Sequence, residues 1–196
     1  GTNHVYILKV TGEIVDNCQK RPQRLFEERE LSVDECAGYL QKAISLLKSQ
    51  TAASDGSEGT LKVIITVSPI RYAKYGYHGS QLSKATLLLA ADKLVKENPG
   101  VVSYFPAYEI MNDELRDYRF YKEDMLHPSE QAVEYIWERF RATYFGKAAE
   151  QFLEDWRPIR EALGHKPFHP ESEEHQKFIA RTEEKKRQFE EKYHLL

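Results

Sequence analysis

Long apolar runs are missing from this chain. The longest, Ala85 to Ala91, is interrupted by Thr86, and a membrane helix needs roughly 20 such residues, so no membrane partner is expected. Cysteine is nearly absent: Cys18 and Cys36 are the only two, and their spacing fits neither a metal site nor a redox motif. A disulfide-stapled secreted scaffold is therefore excluded, and a reducing cytoplasm is the expected compartment. An excess of one charge is missing too. Lys and Arg number 28 against 31 Asp and Glu, for a net charge of -3, which argues against a nucleic-acid surface. Gly1-Thr2-Asn3-His4 has neither the basic start nor the apolar block of a secretory leader. With no initiator Met, the chain reads as a mature, truncated or partial protein.

What is present belongs to a folded protein. Hydrophobic residues make up 41 % and charged residues 30 % of 196 residues, the balance of one medium domain plus an appendage. His4 to Val10 is β-rich, Thr11-Gly12 supplies a turn, and Glu13 to Asp16 reads as the return strand of a hairpin. Pro22 and the residues after it read as a connection. A helix is expected from Ser32, where Ser32 and Glu35 form a capping box, Leu31 and Cys36 a staple, and Cys36, Leu40, Ile44 and Leu47 one apolar face. Ser49 to Thr60 reads as a polar loop.

Leu61 to Val67 is a nearly continuous β-branched run ended by Pro69, the pattern of a parallel strand buried on both faces. A Gly-containing loop, Arg71 to Gly79, leads to a helix from about Gln81 to Glu97 that should turn Leu82, Ala85 and Leu89 inward. After Asn98-Pro99-Gly100, Val101 to Phe105 is the next strand. Strand, crossover helix and strand make the βαβ unit of parallel sheets. Ile110 to Leu115 suggests a short helix, Arg116 to Leu126 an aromatic and charged loop, and Ser129 to Tyr144 a helix with Val133, Ile136, Trp137 and Phe140 on one face. Beyond Gly146 the composition shifts. A helix over Lys147 to Leu163, a turn-rich link, and a charged helical arm over Glu171 to His194 complete the chain. Residues 1-145 and 146-196 are accordingly expected to be a main domain and a helical C-terminal extension.

Ligands of open α/β sheets bind at the carboxyl ends of the strands. Ser68-Pro69-Ile70-Arg71, the loop bearing His78, and Asp124-Met125-Leu126-His127-Pro128-Ser129 all collect there. The last segment carries the most chemistry. An Asp three residues before a His lets the carboxylate hold Nδ1-H and frees Nε2 to take a proton from a hydroxyl, while a helix N-terminus disfavours the imidazolium. The competing reading is a capping turn. Ser68 faces a site or bonds local backbone. Arg71 binds an anionic or sugar group or makes a structural salt bridge. His78, among Tyr72, Tyr75 and Tyr77, belongs to a stacking loop or lid, or to a packed aromatic loop. His165 and His169 flank Pro167, so no regular helix aligns them for a metal.

Asp124-x-x-His127-Pro128 resembles the last block of SGNH/GDSL-type hydrolases. Three longer stretches are similar to the GSCFA family, a bacterial branch of that type. They are Thr66 to Arg71, Gln81 to Ala90, and Tyr104 to Met111 running on through Asp113 to Tyr121 as far as His127-Pro128-Ser129. Gly1-Thr2 with Val5-Tyr6 fits a further family block. The resemblance implies an α/β fold with three α/β/α layers, a mostly parallel sheet and a helical C-terminal extension. It also implies an ester or acyl hydrolase, its substrate a small-molecule or carbohydrate ester, that needs no metal or organic cofactor. His127 would be the base, Asp124 its orienting acid, and Asn3 an oxyanion donor, with Ser68, Arg71 and His78 toward the substrate. The motif that names the family, Gly-Ser-Cys-Phe-Ala, and with it the serine nucleophile, is not in the sequence. This chain alone is expected to be inactive, and a non-catalytic binding or scaffold module is the alternative. A sheet lacking its first strands would need a partner or another copy of the chain, making a homo-oligomer.

Overall fold

The computed structural model describes residues 1-51, 61-165, 167 and 171-195. They fall into two compact units, Gly1–Ile136 and Trp137–Leu196.

In the first unit, β1 (His4–Leu8) turns through Lys9 to Gly12 into β2 (Glu13–Val15). The amides of Thr11 and Gly12 both donate to the Leu8 carbonyl, at 3.1 and 2.8 Å. Gly12 has a φ of +70°, which a side chain would oppose. The expected hairpin is therefore present. It gains a third strand, β3 (Phe26–Glu30), where the sequence suggested only a connection. The sheet is antiparallel in the order β2-β1-β3. Phe26-Glu27-Glu28-Arg29-Glu30 is poor in apolar residues, as an edge strand can be.

Helix α1 (Val33–Thr51) starts on the expected capping box. Ser32 Oγ accepts from Glu35 N at 3.2 Å, and Glu35 Oε2 accepts from Ser32 N at 2.9 Å. Leu31 and Cys36 are both buried, as a staple requires. Of the expected face, Cys36 and Ile44 point inward with Ala37, whereas Leu40 and Leu47 are exposed. The helix also runs on through Ser49 to Thr51, where a loop was expected. Residues 52-60 of that loop lie outside the described residues.

The βαβ unit is present as β4 (Val63–Ile65), α2 (Gly76–Glu97) and β5 (Val102–Tyr104), with β4 and β5 parallel. Val63 and Ile65 join a core formed by Leu31, Cys36, Ala37, Ile44, Ala90, Leu94 and Val102. Two expectations are corrected here. Strand β4 is not buried on both faces, because Ile64, pointing opposite to its neighbours, is 39 % exposed. Helix α2 turns Leu82 and Leu89 outward, at 56 % and 58 % exposure, and buries Ser80, Ser83, Lys84, Ala90, Ala91 and Leu94 instead. Polar side chains win the inner face because backbone from three neighbouring segments offers them partners there, as the site geometry below shows. The protein is thus mixed α/β, with a small parallel pair and a separate antiparallel sheet. Three stacked layers around a mostly parallel sheet are not seen among the described residues. Strands joined by short turns pair antiparallel, and only the helix-linked pair can be parallel.

After β5, α3 (Ala107–Glu109) widens into a π-helical turn over Ile110–Leu115 that ends on Arg116 at positive φ. A 3-10 turn at Tyr118–Phe120 leads toward α4 (Glu130–Tyr144). Met111, Tyr121 and Ala132 make a second core, with Leu115, Phe120 and Ile136 against it.

In the second unit, α5 (Lys147–Gly164) and α6 (Glu173–Lys192) pack through rings of Phe152, Trp156, Phe189 and Tyr193, whose centroids lie 4.7 to 5.1 Å apart. Ser172 caps α6 by accepting from His175 N at 3.2 Å. Asp155 binds Lys192, Tyr193 and Gln151, and these partners hold its carboxyl down at about 2. No described helix is long and apolar enough to cross a membrane.

Candidate active site

The loop from Phe120 to Ser129 closes on itself. Tyr121 and Pro128 pair as an antiparallel bridge, Lys122 N donates to the His127 carbonyl at 2.8 Å, and Ser129 N to the Phe120 carbonyl at 2.7 Å. At its tip Met125 N donates to the Lys122 carbonyl at 2.9 Å, and Met125 itself has a φ of +58°. That left-handed step folds the chain back over Asp124. Asp124 Oδ1 accepts from Leu126 N at 2.9 Å and from His127 N at 3.0 Å, while Oδ2 lies 2.6 Å from His127 Nδ1. One carboxylate therefore shapes the turn and tethers the ring, while the start of α4 is held by Ser129, whose Oγ accepts from Ala132 N at 3.3 Å. The His127 amide, then the Leu126 amide, then the His127 ring hold the Asp124 carboxyl down at about 2. Both side chains are exposed, and the imidazole is not packed into the interior. Among the described residues no hydroxyl hydrogen-bonds the ring of His127.

This loop is fastened to the segment that follows β4. Arg71 N donates to the Leu126 carbonyl at 3.1 Å, and the Arg71 guanidinium reaches the Met125 carbonyl at 3.4 Å. The guanidinium carbon lies 4.0 Å from the Tyr121 ring centroid, 5.8 Å from that of Tyr118 and 5.9 Å from that of Tyr77. Arg71, Tyr77, Ser80, Gln81, Tyr118 and Met125 line a cavity of about 400 Å³. A smaller one of about 170 Å³ shares Arg71 and Tyr118 and adds Met111, Asn112, Arg116, Asp117 and Tyr121.

The buried polar face of α2 holds this region together. Lys84, only 2 % exposed, donates to the Ser68 carbonyl at 2.6 Å and to the Gly1 carbonyl at 2.8 Å. Burial pushes its ammonium down to about 8. Ser83 Oγ accepts from Asn3 N at 2.8 Å and lies 3.0 Å from Thr2 Oγ1, and Ser80 Oγ accepts from Tyr72 N at 3.1 Å. The Tyr72 segment is also pinned to the antiparallel sheet. His4 stacks on Tyr75 with centroids 3.7 Å apart, and Lys74 and Tyr75 both bind Glu28.

The remaining candidates are placed as follows. Ser68 Oγ accepts from Ile70 N at 3.3 Å, the local backbone bond weighed for it above. Asn3 is buried; its Nδ2 donates to the Leu31 carbonyl at 2.9 Å, and its Oδ1 has no hydrogen-bond partner. His78 is exposed in the first turn of α2, because the helix begins at Gly76 and the expected loop is shorter. The geometry thus brings Asp124, His127 and Arg71 together through the 125-126 backbone, and leaves His78 off the cavity lining. Sequence reasoning missed Lys84, Ser80 and Ser83. Their i, i+3, i+4 spacing was the available signal, overshadowed by Leu82 between them and the leucines that follow. No group of described His, Cys, Asp and Glu residues is placed to hold a metal.

The described residues thus define a mixed α/β protein with an exposed, carboxylate-tethered histidine on one loop and a cationic, aromatic cavity around Arg71. The chain matches the model of the GSCFA family over residues 1-140 and that of the GSCFA domain protein, C-terminal domain, over residues 156-196. The protein belongs to the GSCFA family. No curated protein and no solved structure matches it.

Proposed function

We propose that the Asp124–His127 loop is the acid-base half of an SGNH-type ester or acyl hydrolase site. The observation that carries this is the 2.6 Å contact between Asp124 Oδ2 and His127 Nδ1 on an exposed loop. That contact leaves Nε2 as the ring's free nitrogen. In this reading a serine hydroxyl attacks the acyl carbon and gives its proton to His127 Nε2. The tetrahedral intermediate collapses, the C–O bond to the alcohol breaks, and His127 returns the proton to the departing oxygen. Water then repeats the cycle on the acyl-enzyme. Asp124 holds the tautomer and faces the imidazolium. The serine is that of the family's Gly-Ser-Cys-Phe-Ala segment, supplied from outside these 196 residues. Asn3 gives one amide hydrogen to Leu31 and has a second, the candidate oxyanion donor. The β4-α2-β5 unit would be part of a larger parallel sheet in three layers, and residues 146-196 an extension.

The test is turnover of short acyl esters by a chain extended upstream to include the family motif. The extended protein should hydrolyse them, and Ser→Ala or His127→Ala variants should not. The second reading is a binding module without catalysis, in which the cavity around Arg71 is the working part. A folded extended chain with no turnover on any ester, and with its ligand binding unaffected by those substitutions, would establish it.

A further inference from the structure

The guanidinium of Arg71 has no carboxylate partner among the described residues. Among the described residues the guanidinium makes one hydrogen bond, the long one to the Met125 carbonyl, and tyrosine rings surround the rest of it. A guanidinium lying 4.0 Å from the Tyr121 centroid is held by cation–π attraction, and the fork of N–H donors remains for a carboxylate. Asp117, the acid among the lining residues of the smaller cavity, is paired with Arg119 at 3.1 Å. Arg116 lines the smaller cavity as well, so guanidinium outnumbers carboxylate among the residues lining the two cavities.

A bare anion would not use the rest of the cavity. About 400 Å³ falls within the range of small-molecule sites, roughly 300–1,000 Å³. Tyr77 and Tyr118 present exposed ring faces beside Arg71. Gln81 accepts from the Tyr108 hydroxyl through Oε1, which leaves its amide N–H groups as donors to a ligand. Exposed aromatic faces with polar groups between them suit a pyranose ring, whose C–H face stacks while its hydroxyls bond.

We propose that this cavity receives an acidic sugar, a uronic-acid-type ring with its carboxylate on Arg71 and its face against Tyr77 and Tyr118. The proposal rests on reading the Asp124–His127 loop as the reacting end of the same site. The two are one residue apart along the backbone, since Leu126 accepts from Arg71 and precedes His127. It makes the substrate of that site an acyl ester of an acidic carbohydrate.

The test is binding to the full chain by calorimetry and saturation-transfer NMR, with D-glucuronate, methyl glucoside, acetate and inorganic phosphate as probes. Glucuronate should bind at least ~10-fold tighter than each of the others, about 1.4 kcal/mol. Arg71→Gln should remove that advantage, and Arg71→Lys should restore it in part. Tyr118→Ala, at a largely exposed side chain, should weaken glucuronate several-fold with the fold unchanged by circular dichroism. Acetate or phosphate binding as tightly as glucuronate would overturn the sugar half of the proposal. Methyl glucoside binding equally well, an unaffected Arg71→Gln variant, or no saturable glucuronate binding would overturn it outright. His127→Ala should leave this binding intact. Glucuronate binding without ester turnover in the extended chain would therefore sink the hydrolase reading alone, and turnover without glucuronate binding would sink this proposal alone.

Discussion

Replacing Lys84 by Met should change the pH dependence of stability in a direction that the buried geometry fixes. Lys84 is 2 % exposed and faces two carbonyl oxygens with no carboxylate. Burial lowers its pKa from 10.5 to about 8. Between those values the unfolded chain binds more protons than the folded one, so the lysine's contribution rises with pH. Below pH 8 the folded state carries the full cost of a buried charge, roughly 3 kcal/mol at 1.36 kcal/mol per pH unit. At pH 10 the neutral amine still has two N–H donors for its two acceptors, and that cost is mostly gone. Methionine fills similar space and leaves both carbonyls unpaired, at a pH-independent cost of about 1–3 kcal/mol each. Urea unfolding of both proteins at pH 7 and pH 10 reads the lysine, because titrations away from it are common to the pair and the Gly1 ammonium, held down at about 5 by burial and then by Lys84, is already neutral in the folded state over that range. The stability advantage of the natural chain over Lys84→Met should grow by about 2 kcal/mol between the two pH values. An advantage that stays flat, or shrinks, would mean that Lys84 is not buried as a charge in the folded protein.

Other perturbations test other parts of the structure. Leu94→Ala, at a fully buried position of α2, should destabilise by about 2–5 kcal/mol, whereas Leu89→Ala on the exposed side should change stability by less than ~0.5 kcal/mol in the same denaturant titration. Ser32→Ala removes one half of the capping box and should cost ~1 kcal/mol, read by thermal unfolding. Asp124 should titrate by carboxyl ¹³C NMR with a midpoint near 2, held there by the His127 and Leu126 amides and the His127 ring. Its folded value is depressed, so its hold on the loop is complete above the ordinary Asp range and is lost as pH falls through about 2. A midpoint near 4 would mean that the turn is not formed in solution. Asp124→Asn should shift the His127 ring toward a mixed tautomer by ¹⁵N NMR, and an unchanged spectrum would remove Asp124 from the orienting role.

Features fixed by near neighbours were legible from the sequence. The hairpin at Thr11-Gly12, the capping box of Ser32 and Glu35, and the Asp124-to-His127 tether all involve residues a few positions apart. Features fixed by distant chain were not. Leucines at helical spacing suggested the wrong inner face of α2, since Lys84, Ser83 and Ser80 are drawn inward by backbone outside the helix, at Gly1, Asn3, Ser68 and Tyr72. Strand β3 escaped notice because its charged residues read as loop, and it is the register with β1 from His4↔Glu30 to Leu8↔Phe26 that makes it a strand. The cavity around Arg71 was half legible. The tyrosines were visible on either side of it, but their convergence needs the Arg71-to-Leu126 backbone link.

In the proposed function His127, steadied by Asp124, serves a serine that the family motif supplies. Treating the upstream-extended chain with a fluorophosphonate and mapping the adduct by peptide mass spectrometry tests it most directly. The account predicts a phosphonylated serine within Gly-Ser-Cys-Phe-Ala, with labelling slowed at least ~100-fold in both His127→Ala and Asp124→Asn. A folded, extended protein that takes no label at that serine, or labels at the same rate without the imidazole, would contradict it.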